Sequence, residues 1–222
     1  MPFAAVIFDL DGVIVDSEIW WHEARVAWAA ARGLSWAEAD TRAVMGANSR
    51  GWARIMRQRL GLPEAEEAAI QDEIVARVVD RYRDGAPVID GAVDAVRRIA
   101  SGWPVAVASS AHRRVIEAAL QATGLGAEIA VVTSADEVAH GKPEPDVFLE
   151  AARRLVVAPA ACLVVEDSPN GVRAAVAAGM TVVLVPNASV PPAPGAAEAA
   201  HHVLRSLGEL DPTAIPMWRQ AS

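Results

Sequence analysis

The sequence of 222 residues is poor in several residue types, and each shortage excludes a class of protein. It contains one cysteine, Cys162, so no disulfide can form within the chain and a disulfide-stabilised scaffold is excluded. A single cysteine is typical of a reducing compartment and predicts a cytoplasmic location. The longest uncharged segment, residues 174–197, is interrupted by two glycines and four prolines. We therefore predict no membrane-spanning helix.

Positive charge is also scarce. The chain has 20 basic against 28 acidic residues, which gives a net charge of −8. An acidic chain repels the phosphate backbone of nucleic acids and anionic membrane surfaces, so neither is predicted as a partner. Lys142 is the only lysine of the chain. Because an ammonium group acts as a compact point charge and a guanidinium does not, we expect Lys142 to have a specific role.

Short apolar runs alternate with helical segments over most of the chain. The runs are rich in β-branched residues, as parallel strands buried on both faces are, and occupy residues 4–8, 105–108, 129–133, 162–165 and 181–185. Helical segments separate the last four runs, one of them starting at Ser168-Pro169, and a further helix capped by Asp90 is predicted before residues 105–108. The alternation predicts an α/β fold with a doubly wound parallel sheet.

One long interval breaks the alternation and contains helical patterns only. It predicts a small α-helical cap at residues 17–84, inserted into a Rossmann-like core of residues 1–16 and 85–222. Within it, Ser35 and Glu38 have the spacing of a capping box, which predicts a helix from Ser35.

The cap holds five of the seven tryptophans, and most of them are expected to fill its core. Trp20 and Trp21 are the exceptions, since they open the cap beside its junction with the core and are candidates for substrate binding. Arg50 follows a turn and is a candidate for contact with an anionic substrate.

Polar residues follow four of the predicted strands. They are Asp9, Asp11, Ser109, Ser110, Lys142, Glu166 and Asp167. Because the carboxyl ends of parallel strands meet along one edge of a sheet, we expect these side chains to converge. Four carboxylates and one ammonium leave a net charge of −3, which a hard divalent cation such as Mg²⁺ would reduce. A metal, a carboxylate nucleophile and an anion cradle together predict phosphoryl transfer.

Four segments that carry these residues are similar to a known set of motifs. FDLDGVIVDSE at 8–18, VASSA at 107–111, GKPEPDVF at 141–148 and VVEDSPNGVRAAVAAGM at 164–180 occur in this order. They resemble the four motifs of the haloacid dehalogenase-like hydrolase superfamily, in the subgroup with a helical cap after the first strand. The resemblance covers most of the predicted core.

The resemblance implies a role for each strand-end residue. Asp9 would be the nucleophile that forms an aspartyl phosphate, and Asp11 the general acid and then the general base. Ser109 and Lys142 would hold the transferring phosphoryl oxygens, with Ser110 beside them.

The resemblance also implies a Mg²⁺ site. Asp9, the main-chain carbonyl of Asp11 and Asp167 would hold the ion, and Glu166 would act directly or through a water molecule.

The predicted function is therefore a Mg²⁺-dependent phosphatase that hydrolyses a small phosphorylated metabolite such as a sugar phosphate. A phosphomutase of the β-phosphoglucomutase type is the alternative, and a phospho-receiver module is a weaker one because it would lack the insert. Mutases of this superfamily carry a histidine early in the first cap helix. Counted from Asp9, that position is Trp21, whereas His22 lies one residue further and would point elsewhere on a helix. This register favours hydrolysis, and the sequence predicts no oligomeric state.

Overall fold

A computed structural model describes residues 3–45, 47–187 and 195–215 of the chain. These residues contain one six-stranded sheet in which every neighbouring pair is parallel, in the order β3-β2-β1-β4-β5-β6. The strands are β1 (Ala5–Phe8), β2 (Val105–Ser109), β3 (Ile129–Ser134), β4 (Cys162–Glu166), β5 (Thr181–Leu184) and β6 (His202–Val203). The first five match the predicted runs, and the predicted fold class is confirmed. The two-residue β6 was not predicted, because it is too short for a periodic pattern.

Strand β1 lies in the centre of the sheet and is apolar on both faces. Val6 and Phe8 point into one hydrophobic cluster and Ala5 and Ile7 into the other, as the two-residue period of a strand requires. A strand buried in this way fixes where its carboxyl end lies, because slippage by one residue would exchange the two faces.

Four helices lie between β1 and the rest of the core. They are α1 (Glu18–Ala30), α2 (Glu38–Val44), α3 (Ser49–Arg59) and α4 (Glu67–Arg81). The capping box predicted at Ser35 is wrong, since α2 begins at Glu38 after Ala37. The carboxylate of Asp40 accepts a hydrogen bond of 2.9 Å from the Ala37 amide, so an acidic residue inside the helix provides the cap. The limits of the cap, residues 17–84, stay a prediction.

The core helices cover both faces of the sheet. They are α5 (Ala92–Ala100), α6 (Arg113–Thr123), α7 (Asp146–Leu155), α8 (Pro169–Ala177) and the short α9 (Ala196–Ala199). Helix α5 begins one residue later than predicted, because Gly91, and not Asp90, is its N-cap, with a φ of 74°, a conformation that favours glycine. Helix α8 has the predicted start, with Ser168 as its N-cap.

The two chain segments that join the cap to the core lie side by side. Val15 and Val88 form an antiparallel bridge, and the amide of Asp16 donates to the carbonyl of Pro87 at 2.8 Å. The amide of Ile89 in turn donates to the carbonyl of Ile14 at 3.0 Å. This paired connection places the cap helices above the carboxyl ends of β1, β2 and β4.

Candidate active site

A cavity of about 180 Å³ lies between the strand ends and the cap helices. Its core wall contains all seven predicted strand-end residues: Asp9, Asp11, Ser109, Ser110, Lys142, Glu166 and Asp167. Ligand pockets usually enclose about 300–1,000 Å³, so this one suits a small molecule.

Lys142 connects two of the buried carboxylates. Its Nζ lies 2.6 Å from Oδ1 of Asp9 and 2.6 Å from Oε1 of Glu166. Its side chain is only 4% exposed and passes over the ring of Phe148, at 4.7 Å from the ring centroid. Burial alone would lower the pKa of Lys142, but the attraction of Asp9 and Glu166 exceeds it and keeps the pKa above its usual range. Lys142 is therefore a permanent positive charge beside Asp9.

The carboxylate of Glu166 is fully buried, and both of its oxygens have partners. While one oxygen faces Lys142, the other accepts hydrogen bonds from the amides of Asp167 and Ser168, at 2.8 and 2.7 Å, and from the Ser168 hydroxyl. These donors belong to the start of α8, where a helix favours negative charge. Gly171 makes this arrangement possible, since a Cβ at that position would lie 1.6 Å from Oε1 of Glu166.

Three acidic side chains lie close enough to share a cation. Carboxylate oxygens of Asp9, Glu166 and Asp167 lie within 4.8 Å of one another. Burial raises the pKa of both Asp9 and Asp167, and Glu166 adds to the rise in each. A hard divalent cation would reverse these shifts, because it stabilises the ionised carboxylates. The donor set of oxygens therefore fits such an ion.

Gly12 leaves space for the Asp167 carboxylate in this acidic cluster. It has a φ of 89°, and a Cβ at this position would lie 2.0 Å from Oδ2 of Asp167. The Asp167 carboxylate therefore needs glycine on the opposite loop, for the backbone conformation and for space.

Asp11 has a different environment from Asp9. Its carboxylate accepts hydrogen bonds from the hydroxyl of Ser17 and from the side chain of Trp21. Burial raises the pKa of Asp11 to about 6, and these hydrogen bonds oppose the rise. A carboxyl group with a pKa near neutrality can both donate and accept a proton. The sequence interpretation missed Ser17, which lies directly before α1.

Ser109 and Ser110 lie at the end of β2 on the same wall. The hydroxyl of Ser109 is buried and accepts a hydrogen bond of 3.0 Å from the Ala111 amide. The following helix begins only at Arg113, with His112 as its N-cap. The hydroxyl of Ser109 therefore points along the loop and does not cap α6.

The cap wall contains side chains from α1 and α3. Trp21 and Trp52 both line the cavity, and their rings meet edge to face with centroids 5.9 Å apart. Arg25, which the sequence interpretation did not select, lies beside both rings. It follows Trp21 by one helical turn, and an arginine on the apolar face of α1 was the signal that could have revealed it.

Two predicted substrate-binding residues lie elsewhere. Trp20 packs against Tyr82, with ring centroids 5.0 Å apart, because one residue of helix rotates it by about 100° from Trp21. Arg50 is exposed on α3 and is not part of the cavity wall. The structure thus brings Trp21 to the predicted site and leaves Trp20 and Arg50 outside it.

The register of α1 places Trp21, and not His22, at the cavity. Nδ1 of His22 lies 2.7 Å from the hydroxyl of Thr41 on α2, inside the cap. The one-residue shift that would bring His22 to Asp11 is absent from α1.

Comparison with known proteins agrees with this geometry. The family model of haloacid dehalogenase-like hydrolases matches residues 3–179. The chain belongs to this family. Fructose-1-phosphate phosphatase YqaB of Escherichia coli (strain K12) is 34% identical over 183 residues, which cover 82% of this chain and 95% of that protein.

Two solved structures share the fold. CbbY from Rhodobacter sphaeroides, in complex with phosphate, is 28% identical with a TM-score of 0.81, and the match covers 94% of this chain and 96% of CbbY. β-Phosphoglucomutase from Clostridium difficile has a TM-score of 0.83 at 22% identity, over 97% and 96% of the two chains. The predicted enzyme class, a phosphoric monoester hydrolase of the haloacid dehalogenase-like family, is confirmed.

Among the described residues, no helix is long and apolar enough to cross a membrane.

Proposed function

We propose that this hydrolase removes the phosphoryl group from a small phosphorylated metabolite, such as a sugar phosphate, through an aspartyl phosphate on Asp9. The observation that carries the proposal is the bridge from Lys142 to Asp9 and Glu166 in the same cavity as Asp11. Named relatives act on small phosphate esters, as YqaB does on fructose 1-phosphate. The single buried cysteine supports a cytoplasmic location, which we keep as part of the proposal.

In the first step a carboxylate oxygen of Asp9 attacks phosphorus, and the bond from phosphorus to the leaving oxygen breaks. Asp11 gives its proton to that oxygen, so the metabolite leaves as a neutral alcohol. Lys142 stabilises negative charge on the phosphoryl oxygens, and Ser109 and Ser110 lie where they can donate to them.

In the second step water attacks the phosphoryl group on Asp9. Asp11, now ionised, accepts a proton from this water, and inorganic phosphate and free Asp9 are formed. The hydrogen bonds from Ser17 and Trp21 hold the Asp11 carboxylate in one place for both transfers.

Asp9, Asp167 and the main-chain carbonyl of Asp11 would hold Mg²⁺. When bound, the ion would neutralise charge on the transferring phosphoryl group. Glu166 has both oxygens occupied by Lys142 and the start of α8, so we assign it the task of positioning Lys142 and the ion-binding loop.

Trp21 supports hydrolysis over the mutase alternative. A mutase needs a group that delays Asp11 until the sugar is bound, and the histidine that serves this purpose in similar mutases is replaced by Trp21, which already contacts Asp11. Incubation with glucose 1-phosphate and a trace of glucose 1,6-bisphosphate should therefore yield inorganic phosphate, if any product, and no glucose 6-phosphate. Sustained isomerisation without phosphate release would favour the mutase.

Phosphate release from a panel of small sugar phosphates, fructose 1-phosphate included, tests the proposal. Activity should require Mg²⁺, disappear in excess chelator and return when Mg²⁺ is restored. Ca²⁺ should inhibit, since its larger and looser coordination sphere misplaces Asp9. Full turnover in chelator would contradict the proposal.

A further inference from the structure

Arg25 is a buried cation on the cap wall of the cavity. It is 5% exposed, and its Nε and Nη1 atoms are shielded from solvent. Within residues 3–45, 47–187 and 195–215, it makes no hydrogen bond or ion pair. Burial lowers the pKa of Arg25 to about 10, so the guanidinium remains charged at neutral pH. An isolated buried charge costs stability, and its presence needs an explanation.

The guanidinium lies beside two aromatic rings that also contact each other. Its central carbon lies 5.5 Å from the ring centroid of Trp21 and 5.3 Å from that of Trp52. Such contacts with the ring faces orient a planar guanidinium but leave the N–H groups at its edge free to donate. The guanidinium of Arg25 is therefore oriented before a ligand binds.

Glu18 does not neutralise Arg25. It lines the same cavity and attracts the guanidinium electrostatically, but no carboxylate oxygen lies within the 4.0 Å of an ion pair. Burial raises the pKa of Glu18, which weakens it further as a counter-ion. Arg25 lines the cavity, so its guanidinium lies beside any molecule that binds there.

We propose that Arg25 is a specificity-determining residue that binds a second oxyanion, a carboxylate or a further phosphate, on the leaving group of the substrate. The inference rests on the proposed function, since it places the phosphoryl group at Asp9 and Lys142. A planar fork of donors matches either oxyanion in bidentate geometry. The cavity of about 180 Å³ limits the substrate to a short molecule.

Calorimetric binding of paired phosphonates in Mg²⁺ tests this assignment. 3-Phosphonopropionate carries a carboxylate where 3-hydroxypropylphosphonate carries a hydroxymethyl group, and neither has a phosphate ester to be cleaved. A charge-assisted interaction predicts that the chain binds the carboxylate probe about 10- to 150-fold more tightly. Propane-1,3-bisphosphonate, compared with the same hydroxyl probe, shows whether a second phosphate is preferred to the carboxylate; preference for either supports the proposal.

Arg25→Met should reduce the preference to about one and leave binding of the hydroxyl probe within about twofold. Arg42→Met is the matched control, because Arg42 is an exposed cap arginine paired with Glu38. The Arg42→Met variant should keep the full preference for the carboxylate probe. If the methionine variant does not fold, Arg25→Lys serves the same test, since lysine keeps the charge and loses the fork. A reduced preference in this variant supports the proposal.

Three results would overturn the assignment: equal binding of all probes by the unaltered chain, an unchanged preference in the Arg25 variants, or an equal loss for charged and neutral probes. The last would show that Arg25 only maintains the cap. Because the probes are not hydrolysed, failure of the proposed function is detected separately, as absent phosphate release.

Discussion

Each wall of the cavity contains one buried cation, and the two cations have different surroundings. On the core wall, Lys142 lies 2.6 Å from each of two carboxylates. On the cap wall, Arg25 is similarly buried, but within the described part of the chain it has no ion pair and lies beside the rings of Trp21 and Trp52. A cation with permanent partners fixes the geometry of the groups around it, whereas a cation without one is available to a ligand. In our proposal, the core wall carries the reaction and the cap wall selects its substrate.

Removing the two cations, one at a time, should give the largest difference in stability between the two walls. Lys142→Met leaves Asp9 and Glu166 buried without their counter-charge, so we expect a loss of about 3–5 kcal/mol in the free energy of unfolding. Arg25→Met removes a buried charge that has no ion pair among the described residues, and stability should stay the same or increase. Denaturant titration of both variants without substrate measures the contrast. A similar loss in both would mean that the two cations have equivalent structural roles.

A methyl group placed at Gly171 should disturb the core wall alone. The added Cβ of Gly171→Ala would lie 1.6 Å from the Glu166 carboxylate, which is held by three donors from the start of α8 and by Lys142. We expect a loss of about 1–3 kcal/mol, as for an overpacked core, together with weaker Mg²⁺ activation. Gly126→Ala is the control, since a Cβ there meets no atom within 4 Å. Equal stabilities of the two variants would show that the Glu166 site tolerates displacement.

The acidic cluster should make the metal-free protein sensitive to alkali. Burial raises the pKa of Asp167 from 3.8 to about 9, so between these values the folded chain binds more protons than the unfolded chain. Stability from this group is complete below about pH 4 and is lost as the pH rises towards 9. The melting temperature in chelator should therefore fall by at least about 3 °C from pH 5 to pH 8.

Mg²⁺ should offset this fall, because it binds the ionised carboxylates. Thermal unfolding of the Asp167→Asn variant provides the control and should show a smaller dependence on pH and on Mg²⁺. A melting temperature that rises from pH 5 to pH 8 in chelator would contradict the assignment.

The core wall was largely predictable from the sequence. In a parallel sheet with central strands buried on both faces, the residues that follow each strand must meet at one edge, so Asp9, Ser109 and Asp167 could be placed together. Spacing alone could not reveal that both Glu166 oxygens are occupied, because those contacts depend on the exact start of α8 and on the space at Gly171.

The cap wall was less predictable. On a helix, an error of one residue rotates a side chain by about 100°, which separates Trp21 at the cavity from Trp20 against Tyr82. Arg50 follows a turn, and no periodic pattern in the sequence determines the direction in which its side chain points. Arg25 was missed because an arginine in an amphipathic helix is usually exposed, and only its alignment with Trp21 on one face indicated burial.

The central claim is that Asp9 carries the phosphoryl group and Asp11 moves the protons. Rapid mixing with a hydrolysed sugar phosphate, followed by acid quenching and peptide mass spectrometry, tests it most directly. The account predicts a phosphorylated Asp9 peptide in the unaltered chain, a more persistent one in Asp11→Asn, and none in Asp9→Asn. Phosphorylation of the Asp9→Asn chain, or phosphate release by that variant at the unaltered rate, would contradict it.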